Sequence, residues 1–338
     1  YTAVMLSAFV PAFLYYLGLL FSVHFEAKRL GLTGLAKENI PDAMKVVKEQ
    51  GHLVIPLVTL IGLMLYGYTP LFSAVVSIFA TVAASWLRKE TRMGWTKIIA
   101  ATVEGARSAI SVGVCCVIIG VIIGTVTLSS IGLNMGYLIL SIVDNDNIYL
   151  TGLFVMIMST ILGMGVPGVA AYVIVQAVAV PVLIEAGTLP IAAHLFCLIY
   201  ACLSNITPPV AMSAYVAAGI AGSDQTKTGL WAVRLGLIGF IIPFFFLDNP
   251  VLLIGVDKVA TSTQCAWAIF TASLGTISLV AALEGWLIKN ASIIERILLA
   301  VACPVLLHTG TMTDAIGFAC LGVVLIYQFM KRKQQAAL

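Results

Sequence analysis

Charge is what this chain has least of. Asp, Glu, Lys and Arg make up 10% of its 338 residues, against about 25% in an ordinary soluble domain. A sequence that is also 61% apolar cannot cover itself with a water-compatible surface, so it is read as a polytopic membrane protein. The formal net charge of +3 is too small to imply a nucleic-acid partner, which binds largely through its phosphates. The seven cysteines form no CxxC pair and no cluster with histidine, which excludes a metal or redox motif and leaves them as small buried hydrophobes. The four histidines (His24, His52, His194 and His308) come without HExxH or a carboxylate cluster, and interfacial or packing roles are expected of them. There is no initiating Met and no signal peptide: Tyr1-Thr2-Ala3 opens directly inside an apolar segment, and a fragment of a longer polypeptide is expected.

Long apolar sequence is what the chain does have. A helix needs about 20 apolar residues to cross a bilayer. Windows of that size place spans near 3–24, 52–67, 70–87, 108–129, 231–247, 264–287, 296–309 and 312–330. Two further apolar blocks, 151–184 and 190–221, are too long for one straight span, and each is interrupted at its middle. Linkers 25–50 and 88–107 mix charge with apolar residues at helical spacing and read as amphipathic helices at the membrane surface. Of the 18 basic residues, 17 fall in five connections, at 28–48, 88–107, 227–234, 289–296 and 331–333. Placing those connections in the cytoplasm requires 151–221 to cross an odd number of times. One block should therefore cross while the other dips in and returns; charge alone does not say which. The expected fold is all-α, with about nine transmembrane helices plus one re-entrant helical hairpin and a cytoplasmic C-terminus. The expected parts are scaffold and surface helices (1–107), a transport repeat with hairpin and broken helix (108–221), and C-terminal scaffold helices (222–338).

The interruptions carry the chemistry. They read "LGMGVPGVAAYV" (Leu162–Val173) and "LSNITPPVAMSAY" (Leu203–Tyr215). Irregular backbone at bilayer depth survives only inside protein or against a wet cavity, and transporters use such breaks to hold coupling cations and substrate. In the first, Gly163, Gly165 and Gly168 permit a tight tip while Pro167 removes a donor, leaving carbonyls without intrahelical partners. These are hard oxygen ligands suited to Na⁺. In the second, Pro208 and Pro209 free the carbonyls of Ser204 and Asn205, and Ser204, Asn205 and Thr207 add polar side chains. Half-helices that start after the breaks aim positive N-termini at the cavity, which favours an anionic substrate group. The blocks hold no carboxylate or imidazole except Glu185 at an edge and His194, and a proton relay needs carboxylates inside the membrane. Na⁺ coupling is therefore favoured over proton coupling.

These residues resemble the large membrane subunit (DctM-like) of tripartite ATP-independent periplasmic (TRAP) transporters. "ILGMGVPGVAAYVIVQAVAVPVLIEAG", "PIAAHLFCLIYACLSNITPPVAMSAYVAAGIAGSD" and "TGLWAVRLGLIGFIIPFFFLDNP" carry the likeness. It is strongest to the fused permeases that serve TAXI-type binding proteins. The resemblance implies half of an inverted-repeat, elevator-type carrier in the bacterial inner membrane, with 151–184 as hairpin and 190–221 as broken span. It implies Na⁺ ligands from Gly163, Gly165, Val166, Pro167, Ser204, Asn205 and Thr207, and substrate contacts from Gly168, Ala170, Ser204, Asn205, Thr207 and Ser213. The implied partners are a periplasmic TAXI-type substrate-binding protein, a small four-helix membrane subunit or its fused equivalent, and an upstream first repeat. Two departures stand out: Gly168 and Val169 replace a threonine pair usual in related fused permeases, and the first repeat's own break motifs do not occur.

The leading expectation is Na⁺-coupled uptake of a small organic anion, a carboxylate, delivered from the periplasm. Two other classes compete: a passive channel or structural membrane subunit, and an intramembrane enzyme using Ser204 as nucleophile and His194 as base. No oxyanion motif or metal site accompanies that pair, and no enzyme is expected.

Overall fold

The structure, a computed structural model, describes residues 2–32, 34, 42–130, 134, 138, 147–166, 168–248, 250–256, 261–308 and 310–336. Among these residues there is no strand, only an isolated bridge between Trp286 and Asn290, and the molecule is all-helical. Among the described residues, six helices are long and apolar enough to cross a membrane: Thr2–Arg29, Ala43–Leu65, Gly168–Glu185, Gln225–Leu247, Ser262–Glu284 and Thr311–Lys331. Shorter apolar helices accompany them. The chain is a multi-pass membrane protein.

Two compact units divide it: Tyr1–Met5 with Thr33–Val117, and Leu6–Leu32 with Ile118–Leu338. In the first, α2 (Ala43–Gln50) starts on an Asp42 cap and runs through a 3-10 turn, Gly51–Val54, into α3 (Ile55–Leu65). The amphipathic stretch thus continues into the span that follows it. Thr69 caps α4 (Pro70–Ser85), with Pro70 at the first position, where its missing N–H costs nothing. Next comes α5 (Trp95–Ser129), a continuous helix of 35 residues. The 107/108 boundary expected from the sequence falls inside it.

The second unit holds α1 (Thr2–Arg29) from Leu6 onward, α6 (Ile148–Gly163), α7 (Gly168–Glu185), α8 (Pro190–Leu203), α9 (Met212–Ala221), α10 (Gln225–Leu235), α11 (Leu237–Asp248), α12 (Ser262–Glu284), α13 (Ile293–Leu307) and α14 (Thr311–Ala336). The main core joins α1, α6, α7, α8 and α11 around fully buried Leu14, Val155, Val175, Leu183, Phe196 and Phe246. Phe196 meets Tyr200 at 4.6 Å and Phe244 at 5.4 Å between ring centres, and the Tyr200 hydroxyl donates to the Phe240 carbonyl at 2.6 Å. That single bond satisfies a phenol that would otherwise be costly to bury.

The ends of this unit differ in charge. Arg234 Nη2 lies 2.8 Å from Glu284 Oε2 and 3.9 Å from Glu26 Oε2, and Arg29 lies 2.6 Å from Glu26. Arg296 Nε donates to the Ala282 carbonyl at 2.6 Å, and Lys289 Nζ to that of Lys331 at 3.1 Å. The basic connections after α1, before α11, after α12 and within α14 therefore share one end. At the opposite end, Ser7 donates to the Ile254 carbonyl at 3.0 Å and Trp267 Nε1 to Asp314 at 2.7 Å. The feet of the α6–α7 hairpin lie towards that second end: a Cβ on Gly152 would stand 2.9 Å from Leu247 Cδ1.

Candidate functional site

The hairpin turns between Gly163 and Gly168. Helix α6 ends at Gly163, Met164 is extended, Gly165 has φ +78°, and α7 restarts at Gly168. A side chain at φ +78° would be strained, so glycine is needed at 165. Met164 N–H donates to the Ile161 carbonyl at 3.2 Å and Val166 N–H to that of Gly163 at 3.4 Å. Pro167, expected among the cation ligands, lies outside the described residues.

The second interruption follows α8. A 3-10 turn (Ser204–Ile206) leads into Thr207-Pro208-Pro209-Val210, and α9 begins after Ala211, which adopts φ +28°. The Ser204 carbonyl is not free as the sequence suggested: it accepts from Thr207 N–H at 3.2 Å. Asn205 differs. Its three- and four-residue downstream donors would be Pro208 and Pro209, and neither has an N–H. No helical bond of either kind can reach that oxygen.

The two interruptions touch. A Cβ on Gly163 would lie 2.8 Å from Ser204 Oγ and 3.2 Å from the Cα and carbonyl oxygen of Ala201. On Gly165 it would meet Val210 at 3.6 Å, and on Gly168 the Cys202 sulfur at 3.2 Å. Gly163 and Ser204 are buried, Asn205, Thr207 and Val166 are half-buried, and Gly165 is exposed. Half-buried Ala170 and exposed Ser213 are not among the atoms meeting the tip glycines.

The contact sits halfway along the through-helices. A Cβ on Gly239 would lie 2.8 Å from the Tyr15 ring and 3.2 Å from Leu203 Cδ2, and one on Gly236 would lie 3.0 Å from Ile206 Cδ1. Tyr15 is the middle of α1, so the break lies at the depth of that midpoint.

Polar side chains of the break first serve the break itself. Ser204 Oγ donates to the Ala201 carbonyl at 2.6 Å, Thr207 Oγ1 to Leu203 at 2.8 Å, and Asn205 Nδ2 to Cys202 at 3.3 Å. These bonds cap the C-terminal carbonyls of α8 and leave each hydroxyl's lone pairs and the amide oxygen as acceptors. Around the contact, two helix C-termini (α6 and α8) present negative ends suited to a cation. Two N-termini (α7 and α9) present positive ends suited to an anion.

Three features were missed in the sequence. Cys202, expected to be buried, is exposed, and Cys265 and Cys320 are half-buried, whereas Cys197 and Cys303 are buried. Cys202 lies on the side of α8 that lines an apolar cavity of about 390 Å³ together with Tyr15, Tyr16, Leu203, Ile206 and Gly239. The Tyr215 hydroxyl donates to the Pro209 carbonyl at 2.7 Å, tying α9 back across the break. The Glu26–Arg234–Glu284 group was also missed, because its members are far apart in sequence. The nucleophile–base pairing is not formed: His194 Nδ1 stands 2.7 Å from the Tyr172 hydroxyl, and Ser204 Oγ is turned to Ala201.

An all-helical, multi-pass protein whose hairpin tip meets a broken helix is of the membrane-carrier class. The family model of the tripartite ATP-independent periplasmic transporter, DctM component, matches residues 1–260, and the chain belongs to that family. No curated protein and no solved structure matches the chain. DctM components are the membrane permeases of these transporters, not enzymes, and they partner a periplasmic substrate-binding protein and a small membrane component.

Proposed function

We propose that this chain is the part of a DctM permease that couples inward movement of a small organic carboxylate to Na⁺. The carboxylate arrives from a TAXI-type binding protein. The observation that carries the reading is the apposition of Gly163 and Ser204 at the depth of Tyr15. Two sets of carbonyl oxygens and the Ser204 and Thr207 hydroxyls then border one small volume, a donor set that fits a hard monovalent cation. The substrate carboxylate would face the N-terminal ends of α7 and α9 near Gly168, Ala170 and Ser213, with Ser204, Asn205 and Thr207 between cation and anion. With Gly168 and Val169 following Pro167, no hydroxyl directly after the tip proline meets the substrate.

In this reading the α6–α7 hairpin and the broken α8–α9 form the moving part of an inner-membrane elevator, flanked by scaffold helices in 1–107 and 222–338. The basic end of the second unit, with the C-terminus, faces the cytoplasm. A first repeat in inverted orientation, outside residues 1–338, would supply the second pair of breaks. The test is uptake by the complete transporter with its binding protein in proteoliposomes. Accumulation driven by an inward Na⁺ gradient is expected, and accumulation under a proton gradient without Na⁺ would overturn the coupling.

A further inference from the structure

The turn joining α4 to α5 is folded into a pocket whose chemistry neither cation coupling nor substrate binding uses. Trp86 Nε1 donates to the Met93 carbonyl at 2.9 Å, Met93 N–H to Ser85 Oγ at 3.3 Å, and Thr91 Oγ1 to the Ser85 carbonyl at 3.1 Å. His52 Nε2 stands 2.9 Å from Thr91 Oγ1, and Arg88 Nη2 donates to the Lys48 carbonyl. These bonds hold residues 85–94 against the end of α4 and bring the basic face of α2 beside them. The result is a pocket of about 310 Å³ lined by Trp86, Arg92, Met93, Gly94, Trp95 and Ile98.

Its walls have two characters. Trp86 and Trp95 are 53% and 79% exposed, with exposed Leu87 and Ile99 beside them, an amphipathic rim of the kind that sits at headgroup level. Arg92 lines the pocket, Lys97 follows on the first turn of α5, and Arg88, bonded to the Lys48 carbonyl, ties the basic helix α2 to the same turn. The first N–H groups of α5 open there without intrahelical partners. A basic cluster at the end of an apolar helix, with aromatic anchors, attracts a lipid that carries negative charge on its headgroup.

We infer that the 86–98 turn is a binding site for an anionic phospholipid. The phosphate meets Arg92, Lys97 and the start of α5, and the acyl chains run along the apolar faces of α4 and α5 past Trp86 and Trp95. The occupant is a membrane lipid, not a soluble anion, because the same pocket that offers cations is walled by indole rings and aliphatic side chains.

The complete transporter is reconstituted in nanodiscs, with every tryptophan other than Trp86 and Trp95 (Trp231, Trp267 and Trp286 among them) replaced by Phe so that emission reports Trp86 and Trp95. Quenching by brominated phosphatidylglycerol is compared with quenching by brominated phosphatidylcholine. Phosphatidylglycerol should quench preferentially. R92Q and K97Q should each lower its relative affinity about fivefold, and K227Q, on α10, should leave it unchanged. Should the Phe background fail to fold, the same differences between R92Q, K97Q and K227Q are read in the transporter with its native tryptophans. Equal quenching by both lipids, a preference that R92Q and K97Q leave intact, an equal loss in K227Q, or erasure of the preference by inorganic phosphate would each overturn the site.

Discussion

Gly163 and Ser204, on different helices and forty-one positions apart, meet so closely that a Cβ on the first would lie 2.8 Å from the hydroxyl oxygen of the second. The Ala201 backbone, 3.2 Å away, cannot retreat as a side chain could. Gly163→Ala should therefore push the tip off the break at a cost of about 1–3 kcal/mol. Sodium affinity in the complete transporter should fall roughly 10–100-fold, since each 1.4 kcal/mol is about tenfold. Adding Ser204→Gly removes the nearer contact but leaves the Ala201 one and deletes a cation donor, so sodium affinity should not recover. Na⁺ titration of uptake checks both variants.

Pro209→Ala tests the orphaned carbonyl. It restores an N–H four residues beyond Asn205, able to occupy the oxygen that Pro208 and Pro209 leave open. Sodium affinity should drop by about tenfold, the effect of a competing hydrogen bond of about 1.5 kcal/mol. Tyr215 can still donate to the residue-209 carbonyl. An unchanged sodium dependence would show that this carbonyl faces no ion.

Cys202 is exposed and packs against Gly168 at the tip. A charged methanethiosulfonate reagent should block uptake, saturating Na⁺ should slow the modification, and Cys202→Ser should be resistant. Buried Cys197 and Cys303 should not contribute. Rates of inactivation with and without Na⁺ provide the readout.

The Arg234–Glu284 pair predicts a non-additive pattern. The Glu284 side chain is 0% exposed and that of Arg234 is 33% exposed. Arg234→Met leaves a buried carboxylate uncompensated, which costs about 3–5 kcal/mol for fully enclosed pairs and less here because Arg234 reaches solvent. The double change to Met at both positions should be more stable than Arg234→Met alone. Thermal unfolding in detergent compares the three proteins.

The breaks could be read because glycine and proline do locally what no apolar side chain does: "GMGVPG" must turn, and Asn205 loses both downstream donors whatever the fold. The separation of charge could be read too, because Arg29, Arg234 and Lys289 each follow or begin an apolar run. Contacts between distant segments could not. Nothing in the spacing of Glu26, Arg234 and Glu284 says that they share one guanidinium, since each looks like an ordinary end-of-span charge. A surface linker read at 88–107 and a span read at 108–129 are one continuous helix, α5, from Trp95 to Ser129, because nothing at their junction breaks the helical backbone. The sequence also overstated the free carbonyls at the second break. Thr207 turns back on Ser204, a bond available only once the 3-10 turn forms.

The central claim is that hairpin tip and broken helix border one sodium pocket. Calorimetric Na⁺ titration of the complete transporter, wild type against Gly163→Val, tests it most directly when paired with thermal melts. The account predicts saturable Na⁺ binding in the wild type that disappears in a folded Gly163→Val variant. Sodium bound with undiminished affinity by that folded variant would contradict it.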